Sequence, residues 1–432
     1  MYQIEDGNEI IKFDLPPNWK VLDQIKLRPY HPGKSEAEII KEALQHPIGT
    51  KKLCDRLLHK KRAGIVISDW SRFTGSDRFL PILFDELQTA GMDLRNVTLF
   101  IGRGTHREPT IDELKRILSA SIYDQFSQLN QIHIHNCEDQ NNLAFLGTTS
   151  FGTDVYVNRL FMQQDIKILT GAIVYHYFGG FGGGRKSILP AMSGAQTIRK
   201  NHSLNVDPNE DRMNPLVRIG ELDQNPVALD MMESAQKVGV DFILNTVMNE
   251  KKQIIYAVAG DLREAHRRGC EFAARLFGID IHQKADIVIA STQTAKNWIQ
   301  SHKSLYNASL AVKDNGLIIL LAACPEGVGS PEFAEWARLG ISGIFKRLRM
   351  APALLGQTAY SSLLRGEKTI ILTQLTEEDC RVMSMTKVAN INAALGLVDE
   401  MMAKKRIAEP NVYLMPYAGY TVPFVNRAKI ME

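Results

Sequence analysis

Short apolar segments of strand length alternate with amphipathic helical segments along the chain, and this alternation constrains the fold more than any other feature. The predicted strands are residues 64–69, 96–102, 131–136, 153–158, 166–176, 241–249, 285–292, 316–323 and 368–375. Several of them are apolar at consecutive positions, which is typical of strands that helices cover on both faces. The pattern therefore predicts an α/β fold with mainly parallel or mixed sheets.

Capping residues mark the starts of two predicted helices. Ser35 with Glu38, and Thr110 with Glu113, match the capping box, in which a hydroxyl and a later carboxylate bind exposed backbone N–H groups reciprocally. An amphipathic helix is predicted at 262–277, and the strand pattern restarts at Ala285. A chain of 432 residues is long enough for two domains. We therefore expect α/β domains at 1–276 and 277–432.

Composition and charge exclude several classes of protein. With 44% hydrophobic and 23% charged residues the chain is not disordered. Its 51 basic and 48 acidic residues give a net charge of +3, and the basic residues are scattered along the chain. Nucleic-acid binding would require a basic stripe on one face. The five cysteines are far apart, residues 1–19 lack the basic and apolar segments of a signal peptide, and no run of 18 apolar residues occurs. We expect a cytoplasmic protein with no nucleic-acid or membrane partner.

The most unusual segment is a glycine-rich loop at residues 171–194. Five of the six positions from 179 to 184 are glycine, namely Gly179, Gly180, Gly182, Gly183 and Gly184. Glycines let backbone amides converge on an anion, so a phosphate site is one hypothesis. A Walker loop is excluded because Arg185 stands between the last glycine and Lys186, and the dinucleotide motif also fails for lack of its third glycine. The alternative is a tight turn from a strand to a helix.

Histidine and charged residues lie near the glycine loop and at the ends of other predicted strands. His176 and His202 flank Lys186, and His106 follows the strand at 96–102. Asp69 and Arg72 follow the strand at 64–69. Ligands bind at strand ends in α/β sheets, so these residues together predict one site. For Arg72 the alternatives are a grip on a substrate carboxylate and a surface salt bridge with Asp69 or Asp77.

The set of motifs resembles the lactate racemase family, which comprises nickel-pincer-dependent racemases and epimerases of 2-hydroxyacids. The resemblance rests on Arg72, on His106 in GRGTHR, on the spacing of His176, Lys186 and His202, and on Gln300 and Lys303 in WIQSHKS. It covers residues 60–305, and the histidine–lysine–histidine spacing around the glycines is its most specific part.

The resemblance implies a cofactor made of nickel and pyridinium-3-thioamide-5-thiocarboxylate mononucleotide. Lys186 would anchor this nucleotide covalently, and His202 would be the protein ligand of nickel, which is reasonable for a square-planar ion. Asp69, Arg185 and the five loop glycines would contact the cofactor, Arg185 through its phosphate. The partners implied are a small 2-hydroxyacid and the enzymes that build the cofactor.

The resemblance also implies how the reaction proceeds. His106 and His176 would be opposed acid/bases, while hydride leaves the 2-carbon and returns to the other face. Arg72 and Lys303 would hold the substrate carboxylate, and Gln300 would orient substrate or cofactor. The active site is expected in a cleft between the two domains, with Gln300 and Lys303 contributed by the second.

Departures from the family pattern leave the substrate open. The chain has Trp70-Ser71-Arg72-Phe73 after Asp69, and Gly182 stands where serine is common. A larger 2-hydroxyacid or a sugar acid therefore competes with lactate. Two other functions are weighed, namely a phosphate-binding kinase-like enzyme and a non-catalytic nickel or cofactor carrier. The first has no use for the three histidines, and the second has no need of His106 and His176 together.

Some residues receive a purely structural interpretation. His133 and His135 are expected on the polar face of their strand. Met401 and Met402 are expected to pack inside a carboxy-terminal helix.

Overall fold

The computed structural model describes residues 1–7 and 9–425. Its contacts divide the chain into two compact units. The larger unit consists of Tyr30–Pro208 and Met213–Ala274. The smaller unit consists of Met1–Pro29, Asn209–Arg212 and the chain from Arg275 onward.

The strands, in chain order, are β1 (Tyr2–Asp6), β2 (Glu9–Phe13), β3 (Lys20–Gln24), β4 (Ala63–Ser68), β5 (Val97–Gly102), β6 (Ile132–Ile134), β7 (Leu143–Thr148), β8 (Asp154–Asn158), β9 (Ile166–Ala172), β10 (Tyr175–His176), β11 (Gly180–Phe181), β12 (Phe242–Met248), β13 (Ile254–Gly260), β14 (Gly278–Ile281), β15 (Ala285–Ser291), β16 (Val312–Leu321), β17 (Thr369–Leu372), β18 (Thr386–Val388), β19 (Asn411–Met415) and β20 (Val422–Val425).

The α-helices are α1 (Glu36–Gln45), α2 (Leu53–Arg56), α3 (Ser76–Thr89), α4 (Ile111–Leu118), α5 (Ala120–Gln128), α6 (Arg159–Met162), α7 (Ala195–Ser203), α8 (Pro226–Val238), α9 (Glu264–Phe277), α10 (Trp298–Ala311), α11 (Pro331–Arg338), α12 (Gly340–Met350), α13 (Leu354–Gly366), α14 (Glu377–Val382) and α15 (Ile391–Lys404).

A six-stranded sheet in the order β13-β12-β9-β4-β5-β6 forms the centre of the larger unit. The strands from β12 to β6 run parallel, and only β13 is antiparallel to its neighbour. Ile65, Val66 and Ile67 of β4 are at most 1% exposed, and Ile65 and Ile67 share a core cluster with Ile40 of α1 and Leu83 of α3. The sheet therefore brings the loops after β9, β4 and β5 to one edge.

The smaller unit has its own six-stranded sheet in the order β18-β17-β16-β15-β19-β3, with every neighbouring pair parallel. Its core includes Ile287, Ile289 and Leu317 on the strands. Met402 of α15 is buried in the same core and Met401 packs against it, as the sequence predicted.

Both capping boxes and the mainly parallel α/β architecture are confirmed. Each predicted strand segment overlaps an observed strand, and the helix predicted at 262–277 is α9. The two units differ from the predicted domains at residues 1–29, 209–212 and 275–276, which belong to the smaller unit. Residues 1–29 belong to the smaller unit, because β3 pairs with β19 almost 400 residues later. Periodicity along the sequence carries no information about such a distant pairing.

The described residues contain no helix that is long and apolar enough to cross a membrane. All five cysteines are free thiols.

Candidate active site

Three loops that carry predicted site residues leave the same edge of the larger unit's sheet. β9, β4 and β5 are adjacent and parallel, so their carboxyl ends lie side by side. Asp69 directly follows β4, and His106 lies four residues after β5. His176 and Lys186 lie in the segment that follows β9. The predicted convergence of these strand ends is therefore a property of the sheet.

His106 and Asp69 form a close pair. Nδ1 of His106 lies 2.7 Å from Oδ2 of Asp69, and Oδ1 of Asp69 accepts hydrogen bonds from the backbone and side chain of Ser71 at 3.0 and 2.7 Å. Burial by itself would raise the pKa of Asp69, but hydrogen bonds from His106 and Ser71 bring that pKa below its ordinary value. A carboxylate accepts the hydrogen of Nδ1, so Nε2 is the basic nitrogen of the neutral His106 ring.

This pairing changes the interpretation of Asp69. The sequence placed Asp69 among the cofactor ligands, but its side chain is 2% exposed and both oxygens accept bonds from His106 and Ser71. Its observed contacts orient His106, as the buried aspartate orients the histidine of a hydrolase triad. The signal in the sequence was the position of both residues at adjacent strand ends.

Arg72 lies at the surface next to this pair. One guanidinium nitrogen donates to the carbonyl of Ser71 at 3.0 Å. Within residues 1–7 and 9–425, no carboxylate lies at ion-pair distance from Arg72, and Asp77 instead contacts Arg78 at 3.7 Å. The surface salt bridge that competed with a substrate role is thus not formed in the structure.

The glycine-rich loop contains a short hairpin, formed by β10 and β11, whose strands have two residues each. Tyr175 pairs with Phe181 and His176 with Gly180, and a 3₁₀ turn follows at Gly184–Ser187. The short turn agrees with the structural interpretation of the glycines, although a hairpin precedes it.

The glycines allow close packing of the loop against the rest of the larger unit. Gly180 and Gly184 have left-handed φ angles of +71° and +51°. A Cβ at Gly180 would collide with the carbonyl of Glu221, and one at Gly184 would lie 2.6 Å from the ring of His266. These two glycines are therefore required by the protein's own packing, whatever else the loop binds.

The other three loop glycines have different neighbours. A Cβ at Gly179 would lie 3.6 Å from the Lys186 amine, whereas one at Gly182 or Gly183 would approach the carbonyl of Ala172 at 3.0 and 3.3 Å. Of the five, Gly179 is the one that borders the predicted anchor lysine.

Phe178 joins three of the predicted site residues into one cluster. Its ring centroid lies 4.3 Å from that of His176, 4.9 Å from that of His202 and 5.0 Å from the Lys186 amine. His106 lies on the neighbouring strand end, and its loop contacts this segment through a hydrogen bond of 3.1 Å from Gly104 to the Ala191 carbonyl. The sequence did not single out Phe178, since an aromatic residue beside glycines carries no specific signal.

His202 has the properties of a neutral imidazole ligand. It lies on α7, is 5% exposed, and its Nδ1 donates to the carbonyl of Ile198 at 2.7 Å. Burial, together with the positive charge of Lys186, lowers the pKa of His202 to about 4. Because the carbonyl takes the hydrogen of Nδ1, the lone pair is on Nε2, the arrangement common in metal-bound histidines.

A buried network supports α7 next to this histidine. Asn201 donates to Asp230 Oδ2 at 2.8 Å, and Asp230 also accepts from Thr149 at 2.5 Å and Thr153 at 2.9 Å. Asn201 and Asp230 are fully buried. The sequence offered no signal for this network, whose bonded members lie between 29 and 81 residues apart.

Arg185 is a correction to the sequence-based prediction. It is 1% exposed and donates to the carbonyls of Gly179 at 2.6 Å and Ala228 at 3.1 Å. A phosphate partner would need an accessible guanidinium, and this one is enclosed by the protein. Burial lowers the pKa of Arg185 to about 10, so the group is still charged at neutral pH.

His135 is a second correction. It is 1% exposed, with Nε2 donating to the Ser193 carbonyl at 3.0 Å, and burial lowers its pKa to about 4. It is therefore a core residue and not part of a polar strand face. His133 is half-buried and stacks on Phe100.

The smaller unit contains the other two predicted substrate residues. Gln300 and Lys303 lie one turn apart on α10, a spacing that places side chains on one face of a helix. Gln300 is exposed, and its side-chain oxygen accepts a hydrogen bond of 3.1 Å from the backbone of Lys296. Lys303 is half-buried.

Comparison with known proteins gives a consistent result. A family model described as the lactate racemase N-terminal domain matches residues 7–214. The lactate racemase of Thermoanaerobacterium thermosaccharolyticum is 35% identical over 338 residues, 77% of each chain. That of Lactiplantibacillus plantarum is 32% identical over 307 residues, 70% of each chain.

Solved structures agree with these relatives. The lactate racemase apoprotein from Thermoanaerobacterium thermosaccharolyticum superposes with a TM-score of 0.87 at 29% identity, covering 98% of this chain and 99% of that one. A protein from Thermotoga maritima, with a TM-score of 0.63 at 19% identity over 90% of this chain and 98% of its own, shares the fold. The chain belongs to the lactate racemase family and is a racemase, an isomerase.

Proposed function

We propose that this racemase inverts the 2-carbon of a 2-hydroxyacid by reversible hydride transfer, with a nickel-pincer nucleotide attached to Lys186. The observation that carries the proposal is the cluster of His176, Lys186 and His202 around Phe178, beside the strand end that holds His106. This cluster combines an amine for attachment, a neutral imidazole for a metal and a further histidine.

The residues present fit such a cofactor. A half-buried amine suits attachment through a thioamide, and the Nε2 lone pair of His202 suits nickel. Among the described side chains, no group of three or more His, Cys, Asp or Glu residues could hold a metal by itself. Nickel at His202 would accordingly take its other donors from the nucleotide. The buried Arg185 does not fit a phosphate, so we assign it no cofactor contact.

The chain's own residues would supply binding and proton handling. Arg72 and Lys303 would bind the substrate carboxylate, and Gln300 would orient the substrate. His106, held by Asp69, would take the hydroxyl proton at Nε2. The bound cofactor would accept the hydrogen of the 2-carbon as hydride and return it to the opposite face. His176 would be the acid/base for the hydroxyl oxygen on the other side.

The two alternatives are less well supported. A kinase-like phosphate site would need open backbone amides, but the amides of Gly179, Gly182 and Gly184 already donate to His176, Val174 and Asn245 of the same chain. A non-catalytic carrier has no use for the paired His106 and Asp69. We therefore retain 2-hydroxyacid racemisation as the proposed function. The substrate class includes lactate, longer 2-hydroxyacids and sugar acids.

The test is to express the chain together with the cofactor-building enzymes and to measure intact mass, nickel content and racemisation. The wild type should carry about one nickel per chain and a mass increment that Lys186→Ala lacks. His106→Ala and His176→Ala should keep the increment and lose racemisation, whereas His133→Ala, which changes a histidine outside the cluster, should keep both. Unmodified Lys186 in active protein would disprove the attachment, and full activity of either histidine variant would disprove the two-histidine scheme.

A further inference from the structure

The hydrogen bonds around the two proposed acid/base histidines differ in direction. His106 Nδ1 faces the carboxylate of Asp69 at 2.7 Å and so carries a hydrogen. Nδ1 of His176 accepts the backbone N–H of Gly179 at 3.2 Å and so carries none. The neutral rings therefore have opposite tautomers, with a basic Nε2 on His106 and an N–H at Nε2 on His176.

The Gly179 N–H points at His176 because the peptide groups on both sides of Gly179 are fixed. Asn225 donates from its side chain to the carbonyl of Phe178 at 2.8 Å. That carbonyl belongs to the same planar peptide as the Gly179 N–H, and in a trans peptide the two groups point in opposite directions. Holding the carbonyl on one side therefore directs the N–H to the other side, toward the imidazole.

The next peptide group is held by Arg185. Its guanidinium donates to the carbonyl of Gly179 at 2.6 Å and to the carbonyl of Ala228 at 3.1 Å. A third nitrogen of the guanidinium lies 3.4 Å from Nδ1 of His266, whose Nε2 donates to the carbonyl of Gly182 at 2.8 Å. Burial, with the charge of Arg185, lowers the pKa of His266 to about 3, so this ring remains a neutral acceptor.

The guanidinium is enclosed although the described residues offer it no carboxylate at ion-pair distance. Arg185 is 1% exposed, and burying an unpaired charge is costly unless every donor is hydrogen-bonded. Asn225 is fully buried as well. Two such polar groups converging on the peptides of one glycine indicate that the orientation of these peptides matters.

We propose that Arg185 and Asn225 are positioning residues that fix the tautomer of His176 through Gly179. His176 then offers an N–H from Nε2 to the substrate oxygen, while His106 offers a lone pair. For Nε2 of His176 to act as a base, the single hydrogen of the neutral ring must move from Nε2 to Nδ1, and this requires loss of the Gly179 bond to Nδ1. The role assigned to His176 rests on the proposed function, but its tautomer can be measured without turnover.

The experiment is two-dimensional ¹H–¹⁵N spectroscopy of the full chain labelled at histidine nitrogens, without cofactor. Signals are assigned by their loss in His106→Gln and His176→Gln. The expected result is a pyridine-type Nδ1 with a pyrrole-type Nε2 on His176, and the reverse on His106. A pyrrole-type Nδ1 on His176 in the wild type would overturn the proposal, even if the variants of Asn225 and Arg185 failed to fold.

Two variants test the positioning residues. Asn225→Asp keeps an oxygen for the backbone N–H groups of Val227 and Ala228 but removes the donor to Phe178. Arg185→Lys keeps the charge but cannot reach both carbonyls. Each should give His176 a mixture of tautomers and leave His106 unchanged. Asn390→Asp, which changes the N-cap of α15, is the matched control and should alter neither signal.

Turnover gives a second measurement that a general loss of structure would not reproduce. In cofactor-loaded enzyme, Asn225→Asp should lower kcat and leave KM little changed. The loss should be smaller than the about 10²- to 10⁴-fold loss expected when an acid/base group is removed. An unaltered His176 tautomer in both folded variants would refute the positioning role. Retained racemisation in His176→Ala would instead refute the proposed function and leave the tautomer assignment standing.

Discussion

Asp69 Oδ2 lies 2.7 Å from His106 Nδ1, and this contact leaves Nε2 as the basic nitrogen of the ring. Asp69→Asn should keep the shape of the contact while allowing the other tautomer. We expect kcat of the cofactor-loaded enzyme to fall by about 10²- to 10⁴-fold. Steady-state kinetics with the bound nickel measured in parallel checks this, and a variant with wild-type kcat would exclude an orienting role for Asp69.

The same carboxylate predicts a dependence of stability on pH. The pKa of Asp69 in the folded chain is below the ordinary 3.8. The unfolded chain therefore binds the proton first, and the stabilisation by the carboxylate is complete above pH 3.8 and is lost as pH falls through the folded pKa. The difference in unfolding free energy between wild type and Asp69→Asn should shrink below that pH in urea titrations. A difference that grows on acidification would contradict the sign.

Asp230 should be needed for the stability of the helix that carries His202. Asp230→Ala leaves the buried donors of Thr149, Thr153 and Asn201 without their acceptor. We expect a loss of about 3 kcal/mol in unfolding free energy. Glu233 lies on α8, like Asp230, and is a partly exposed acceptor of Ser150. Glu233→Ala should therefore cost only about 1 kcal/mol. Equal losses of unfolding free energy in the two variants, measured by urea unfolding, would show that burial of the acceptor does not determine the cost of removing it.

Gly184 provides a test of loop packing. Gly184→Ala introduces a Cβ 2.6 Å from the His266 ring at a φ of +51°, whereas Gly239→Ala has a φ of +70° and no atom within 4 Å. The strain of a left-handed residue is common to both, so the collision should cost the first variant roughly 1–3 kcal/mol more. Thermal unfolding of both proteins measures this, and identical midpoints would mean that the loop has room to move.

The sequence predicted the central strands because β4, β5, β15 and β16 are apolar on both faces, and it predicted helix starts because hydroxyl and carboxylate pairs mark them. It did not predict the pairing of β3 with β19, which depends on contacts between distant parts of the chain. The burial of Arg185 was missed for the same reason, since a guanidinium bound by backbone carbonyls leaves no motif. The Asp69–His106 pair could have been predicted from the sequence, because adjacent parallel strands end beside each other.

Hydride transfer to and from the 2-carbon is the central claim, and the fate of the hydrogen on that carbon tests it most directly. Cofactor-loaded enzyme is incubated in deuterated buffer with enantiopure lactate and, separately, with longer 2-hydroxyacids and aldonates. Inverted product that retains protium at the 2-carbon is the predicted result for whichever acid is the substrate. Inverted product carrying solvent deuterium at that carbon would contradict hydride transfer and indicate inversion by proton exchange.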